Sequence, residues 1–466
     1  MLEAAEIVQR FLLGGRQVHP DVVAWIREQN DPGLVDRILR ETPEDVVVVS
    51  RDAIPSIRPE RDGVRFLGDP GLEVIEGAAG SCPPITSVQD YAHYFRDRYT
   101  RLGGVVRSRV HAMPIEALSR SGRYRQQECT LIGMVVEARS TAKGNRLVQL
   151  EDPTGVIPVL FNSNRPDFDQ AERLVPDEVV GVRGKLAETG SVFYGEQILR
   201  PDVPINHAPF LSREPGRVVM ISDVHVGSNT FLPEAWDSFT DWLRESDDVN
   251  YLLIAGDLVD GIGVYPGQEN ELVIPNIDDQ YAEFGRMLRA LPSRVRIVAA
   301  PGNHDVVRGA EPQPALPERF ASHLPANCTT VENPALVSIQ GVRVLMYHGR
   351  SMDDLISLIP GATYDRAGEM MEEMLRRRHL APSYGRRTPI AAAKADRLVI
   401  DCIPEVLLTG HVHVMGLCRY RGVLGVNPGT WQAQTAFQKQ MNVNPTPARA
   451  VVLDLQTLEP RVLDFS

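Results

Sequence analysis

Cysteine is scarce in this sequence, and no two lie close together. Cys82, Cys129, Cys328, Cys402 and Cys418 are scattered, with no Cys-x-x-Cys pair. That argues against a zinc ribbon and a disulfide framework and fits a reducing cytoplasm. No apolar run approaches the roughly 20 residues that span a bilayer, so no membrane contact is expected. The opening MLEAAEIVQRF carries acids early and has no basic stretch, so no signal peptide is expected. Positive charge is also in deficit. Lysine and arginine total 49 against 61 aspartate and glutamate, a net charge of −12. Contact with nucleic acid must therefore come from local basic patches or from a partner chain. What remains is ordinary for globular protein, 43% hydrophobic and 24% charged, and 466 residues suit roughly three domains.

Residues 1–45 read as a small helical module, with Val8, Phe11 and Leu12 on one face and Val22, Trp25 and Ile26 on another. Asp31 and Pro32 form a cap and first helical position ahead of Leu34, Val35, Ile38 and Leu39. Such a module suits docking onto a partner, or is simply a tethered bundle. Residues 46–85, rich in proline and glycine, read as a flexible linker. Residues 86–210 begin with a helix, capped by Ser87, whose Tyr91, Tyr94, Phe95 and Tyr99 recur at helical spacing beside Arg96, Arg98 and Arg101. That stripe is either a buried face or a nucleic-acid contact, and the spacing favours burial. Short strands then alternate with glycine, proline and asparagine signals. The LEDPTG turn and a helix-like DQAERLV before two final strands predict a five-stranded barrel of OB type. Arg139, Lys143, Arg146, Arg183 and Lys185 either line a groove for single strands or sit on a barrel that only mediates subunit contact.

From Arg217 onward, apolar runs end repeatedly in metal-ligand residue types. VVMISDVH delivers Asp223 and His225, YLLIAGD delivers Asp257, and RIVAAPGNHD delivers Asn303, His304 and Asp305. VRVLMYHG delivers His348, and EVLLTGHVH delivers His411 and His413. Open α/β folds build sites this way, at the carboxyl ends of buried strands. In an extended segment residues two apart face one side, so each Asp-x-His or His-x-His pair can share a cation. Oxygen and imidazole donors suit manganese, iron, zinc or similar ions. A carboxylate such as Asp257 can bridge two cations about 3.5–4 Å apart. Any one of these motifs alone is commonly structural. Five in ordered series, each after a strand, are not.

DVHVG, GDLVDG, GNHD, YHG and GHVH resemble the signature blocks of the calcineurin-like metallophosphoesterases, over roughly residues 215–432. The resemblance implies an α/β, four-layer phosphoesterase domain at 211–466. It implies two divalent cations, manganese foremost, with magnesium, ferrous iron or zinc as alternatives. Asp223, His225, Asp257 and His413 would hold one, and Asp257, Asn303, His348 and His411 the other. His304 would act on the leaving oxygen of the scissile phosphate, and Asp305 would orient His304 from behind.

The order of helical module, linker, barrel and phosphoesterase resembles the small subunits of archaeal family D DNA polymerases, as do the LEDPTG, GEQILRPDVP and VNPGTWQ segments. That likeness implies a 3′–5′ proofreading exonuclease acting on a single-stranded 3′ end beside a large catalytic subunit. The residues add one supporting feature: Arg376, Arg377, Arg378, Arg386, Arg387, Lys394 and Arg397 lie between His348 and His411 with Asp396 as the one nearby acid. This stretch is either a DNA-backbone contact or a solvated helix face paired with the preceding EEM. Two alternatives stay open. A stand-alone metallophosphatase or nuclease would need no large partner, and a purely structural subunit would bind no stoichiometric metal pair.

Overall fold

The computed structural model describes residues 4–13, 16–18, 20–29, 34–41, 48–49, 64–66, 69–80, 88–120, 127–440 and 442–466. The cap expected at Asp31 and Pro32, the Ser87 cap and Cys82 lie outside them. Residues 1–65 and 66–466 form two compact units.

In the first unit, α1 (Ala4–Leu13), α2 (Pro20–Gln29) and α3 (Leu34–Glu41) close around Ile7, Phe11, Val22, Ile26, Leu34, Val35 and Ile38. The face expected on α1 is rotated. Ile7 and Phe11, four apart and stacked on one side, are buried, whereas Val8 and Leu12 form the neighbouring ridge and are 37% and 58% exposed.

The second unit begins with a departure from the expected linker. Asp69–Ala78 is a strand, β1. Leu72 and Val74 are buried and Glu73 between them is not, the period-two pattern of a strand, and the register with its partner strand shifts before the exposed Glu76. Proline and glycine at its two ends mask that alternation in the sequence. The helix α4 (Val88–Arg107) follows. Its Tyr94 packs with Met370 and Met371, and Leu102 and Val106 pack with Ile132 and Val179. Arg98 donates to Asp396 at 2.7 Å within the same buried zone. The aromatic and arginine stripe is thus largely an internal face.

Strands β2 (Glu128–Ser140), β3 (Arg146–Asp152), β4 (Gly155–Phe161), β5 (Val179–Leu186) and β6 (Phe193–Leu199) close a barrel in the order β2-β3-β4-β6-β5. Its interior is apolar, with Leu131, Val148, Leu150, Val159, Val182 and Phe193. The LEDPTG turn is held by Asp152, whose carboxylate accepts from the amides of Thr154 and Gly155, and from Ile115 at 2.9 Å. Of the five basic residues of the barrel, three pair with acids at its surface: Arg139 with Glu137, Arg183 with Glu128, Lys185 with Glu196.

The remaining strands are β7 (Arg217–Ile221), β8 (Val249–Ala255), β9 (Arg296–Ala300), β10 (Cys328–Ile339), β11 (Val342–Met346), β12 (Val406–Leu408), β13 (Gly416–Tyr420), β14 (Val423–Asn427), β15 (Arg449–Asp454) and β16 (Pro460–Asp464). They form one extended sheet, β13-β14-β12-β11-β10-β9-β8-β7-β15-β16, and β1 pairs antiparallel with β10. Strands β7 to β10 run parallel, as do β11, β12 and β14. Helices α5 (Pro233–Glu245) and α6 (Ile277–Arg289) cover Val219, Ile221, Leu252 and Ile254. Helices α7 (Met352–Leu358) and α8 (Ala367–Arg377) cover Leu345 and Leu407. The alternate residues Val218, Met220, Leu253, Val337, Val344 and Leu408 meet in a further cluster between the two parts of the sheet. Because both faces are covered, the central strands read as continuous apolar runs, and polarity appears only where they end.

Candidate active site

The loops leaving β7, β8, β9, β11 and β12 converge. Five of the residues they carry, Asp223, His225, Asp257, His411 and His413, adopt positive φ of 53°, 53°, 50°, 71° and 60°. Non-glycine residues in this region each cost of order 1–3 kcal/mol and persist where surrounding structure imposes them. Here main-chain bonds do so: Asp223 N–H donates to the Gly256 carbonyl and His225 N–H to that of Asp257, both at 3.0 Å. The geometry therefore differs from the extended segments expected from the spacing. Asp223 and His225 share a side, but His411 and His413 diverge. His413 turns to His225, with rings 4.9 Å apart, and His411 turns to His348, at 5.3 Å.

Two neighbouring groups result. Ligand atoms of Asp223, His225, Asp257 and His413 all lie within 4.8 Å of one another, and all four residues are buried. His413 Nε2 is 3.3 Å from Asp223 Oδ1, and His225 Nε2 is 3.6 Å from Asp257 Oδ2. On the other side, His348 Nε2 lies 3.3 Å from the same Asp257 Oδ2 and 3.1 Å from Asn303 Oδ1. Asp257 is common to both. The carboxylates approach main chain so closely that side chains are excluded nearby. A Cβ on Gly302 would stand 2.2 Å from Asp257 Oδ1, and one on Gly410 2.4 Å from Asp223 Oδ2.

Electrostatics bind the groups together. Burial pushes Asp257 up, but the imidazoles of His348 and His304 outweigh it and hold the carboxylate well below its usual range. Burial pushes His348 down, yet Asp257 and Asp223 raise it to about 10. Buried carboxylate and imidazole donors of this kind fit a divalent cation, which would supply positive charge between Asp223 and Asp257.

His304 and Asp305 part company. The ring of His304 donates through Nδ1 to the Asp260 carbonyl at 2.7 Å, and Nε2 has no hydrogen-bond partner among the described residues. Asp305 does not orient it. Its carboxylate accepts from Gly302 N–H at 2.8 Å, Leu258 N–H at 3.1 Å and the Tyr281 hydroxyl at 2.8 Å, so it clamps two loops. The orienting residue is Asp260, whose Oδ1 also lies 3.1 Å from His225 Nδ1. Asp260 is the second aspartate of the GDLVDG block, three residues after Asp257, and that spacing is its only signal in the sequence. Asp353, 3.3 Å from His411 Nε2, and Gln438, 2.6 Å from His413 Nδ1, support the site in the same way. They reach the site from α7 and from the helix Ala436–Gln440, with no motif around them.

The basic stretch divides. Arg376, Arg377 and Arg378 each bond to groups of the protein itself. Arg377 is 2% exposed between Glu373 and Glu178, where its Nε lies 2.9 Å from the latter, and so ties α8 to the barrel. Arg376 pairs with Glu373 at 2.9 Å and lies over the Tyr420 ring. Arg378, in the left-handed position ending α8, donates to the Ile400 carbonyl at 2.6 Å. Arg397 pairs with Glu332 at 2.6 Å. Arg386, Arg387 and Lys394 are exposed. Arg387 alone of these reaches a cavity of 240 Å³ over the cluster, which it lines with Tyr265, Asn303, His304, His411 and Thr435.

Residues 216–415 match the family described as calcineurin-like phosphoesterase. Over its length the chain is similar to proteins named DNA polymerase II small subunit. That of Halobacterium salinarum is 43% identical over 91% of this chain and 85% of its own. That of Archaeoglobus fulgidus is 39% identical over 97% and 96%, and that of Thermoplasma acidophilum 37% identical over 100% and 93%. The chain therefore belongs to the family of archaeal DNA polymerase II small subunits, the small subunits of family D polymerases, and carries their calcineurin-like phosphoesterase domain.

Proposed function

We propose that this chain is a metal-dependent 3′–5′ DNA exonuclease, which proofreads for a replicative family D polymerase together with a large catalytic subunit. One observation carries the reading: the whole set of ligand-type residues converges around a shared Asp257, with His304 on the cavity above it. Asp223, His225 and His413 would hold one divalent cation, Asn303, His348 and His411 a second, and Asp257 both. Manganese suits the mixed oxygen and imidazole donors well. Such a pair supplies charge to bind the phosphodiester and to activate a water for in-line attack.

The chain's own residues then have defined tasks. His304 donates from Nε2 to the departing 3′-oxygen. Since Nδ1 already donates to the Asp260 carbonyl, both ring nitrogens must carry hydrogen at that moment. No covalent intermediate is needed, and a nucleoside 5′-monophosphate leaves. The strand order β2-β3-β4-β6-β5, with the helix Phe168–Glu172 between β4 and β5, supports an OB-type barrel. Three apolar clusters between sheet parts and helices support a four-layer catalytic domain. The helical module of residues 1–45 would dock the partner in the cytoplasm.

The test is digestion of a 5′-labelled primer with a mismatched 3′ end, with Mn²⁺. A ladder shortening from the 3′ end, abolished by EDTA and by His304→Ala, is the expected result. Absence of digestion, both alone and with the large subunit, would refute the exonuclease.

A further inference from the structure

The cavity above the cluster is small, and a strand that enters it must continue somewhere. A second depression, of 460 Å³, lies where the barrel meets the catalytic domain. Its walls are Val136, Arg146, Pro176, Leu358, Tyr384 and Arg386. Neighbouring residues of one loop line the two spaces: Arg387 the cavity and Arg386 the groove.

The loop that carries both arginines is held at each end. Ser383 donates to the Pro176 carbonyl at 3.0 Å, and the amide of Tyr384 to Asp177 Oδ2 at 2.8 Å, which fastens one end to the barrel. The amides of Arg387 and Thr388 donate to the buried carboxylate of Asp354 at 2.8 and 3.1 Å, which fastens the other to α7. Between these anchors Tyr384 stands edge-on to Tyr91 and Phe95, at 5.3 and 5.6 Å, and remains 39% exposed toward the groove. The two acids on the groove wall are engaged: Asp177 accepts the Tyr384 amide, and Glu137 faces Arg139. Among the described residues lining the catalytic cavity, Arg387 is the one arginine or lysine, and it stands beside Asp353 and Tyr364.

We infer that the loop from Ser383 to Thr388 threads the single strand, with Arg387 gripping a phosphate in the cavity while Tyr384 and Arg386 carry the next nucleotides into the groove between barrel and catalytic domain. The inference rests on the exonuclease reading and adds to it the course of the substrate and the residues that measure its length. Single-strand binding sites combine aromatic platforms with basic backbone contacts, as this groove does. A pinned loop also costs little ordering on binding, because its main chain is already fixed.

The polymerase holoenzyme tests this with two substrates, a single strand of roughly ten nucleotides and bis(p-nitrophenyl) phosphate, which is too short to reach the groove. Tyr384→Ala and Arg386→Ala are expected to lower kcat/KM on the strand about tenfold more than on the small diester. Tyr384→Phe, which keeps the ring, restores the strand rate. Arg386→Ala also reduces the salt slope of strand binding by about one. Equal losses on both substrates, or no loss on the strand, would overturn the path while leaving the exonuclease standing. Unaltered enzyme that hydrolyses the small diester but no strand would overturn the exonuclease reading and the path with it.

Discussion

The main-chain carbonyl of Asp260 sits 2.7 Å from Nδ1 of His304, while the carboxylate of the same residue lies 3.1 Å from Nδ1 of His225. One aspartate thus sets the orientation of two imidazoles, by two different groups. Substitution separates them. Asp260→Ala keeps the carbonyl and removes the carboxylate, so His225 loses its partner and His304 does not. Residues that orient a metal-binding imidazole typically contribute 10–100-fold to affinity. Mn²⁺ affinity measured by calorimetry should fall by about that factor, with turnover at saturating Mn²⁺ recovering most of its value.

His304→Gln should show the opposite pattern. Its ring is bonded to main chain and lies on the cavity wall, so the metal groups survive the change. Loss of a proton donor costs about 10²–10⁴-fold in turnover. Steady-state kinetics should register this in kcat, and calorimetry should find Mn²⁺ affinity unaltered.

Arg377→Ala removes the cation that bridges Glu373 and Glu178, while Arg376 and Arg173 stay paired with Glu373 and Arg200 with Glu178. The remaining cations hold the loss below the roughly 3–5 kcal/mol of a fully stranded buried charge, and it should appear as a lower Tm. The pH dependence follows from Glu373. Burial pushes its carboxyl up, but Arg377 and then Arg376 hold it at about 2, below its ordinary 4.5. A group depressed on folding stabilises above its unfolded value, and that contribution is lost as pH falls from 4.5 toward 2. Acid titration of Tm should show this decline in the native chain, and a flatter one in Arg377→Ala. The salt slope of DNA binding should be the same in both.

Cation binding should stabilise the fold. Asp223 and Asp257 are 0% and 1% exposed and share one small space. Mn²⁺ at 100 times its dissociation constant contributes about 2.7 kcal/mol. For a domain of this size that is about 2–4 °C per kcal/mol. Differential scanning calorimetry should find the rise, its reversal by EDTA, and its absence in Asp223→Asn.

Which parts of this arrangement were legible depended on whether a residue's role is local. Asp223, Asp257 and His348 follow buried strands, and a buried strand announces its end by a change from apolar to polar. That pattern is continuous in sequence and needs no partner to be seen. Asp353 and Gln438 enter the site from helices whose approach is decided by packing alone. Arg377 illustrates the same limit from the other side. A run of three arginines shows charge, but its partner Glu178 lies in the barrel, far back along the chain. Asp305 follows His304 in sequence, but adjacency in sequence is not adjacency in space, and its carboxylate faces Tyr281 and the main chain. The strand β1 was missed because glycine and proline at its ends outweighed the alternation of Leu72, Glu73 and Val74.

That strand has a consequence for the order in which the chain can complete itself. β1 borders β10 along Leu336–Ile339, between the barrel and the amino-terminal module in sequence but inside the catalytic sheet in space. Synthesis delivers it long before β10 exists, so it waits through the whole barrel for the edge it will seal. A shortened chain that begins at the barrel would carry every catalytic side chain and still present bare main-chain donors and acceptors along β10. Open edges of that kind recruit other chains. The tendency of such a truncated protein to self-associate would then report on a missing seam, with the chemistry of the site intact.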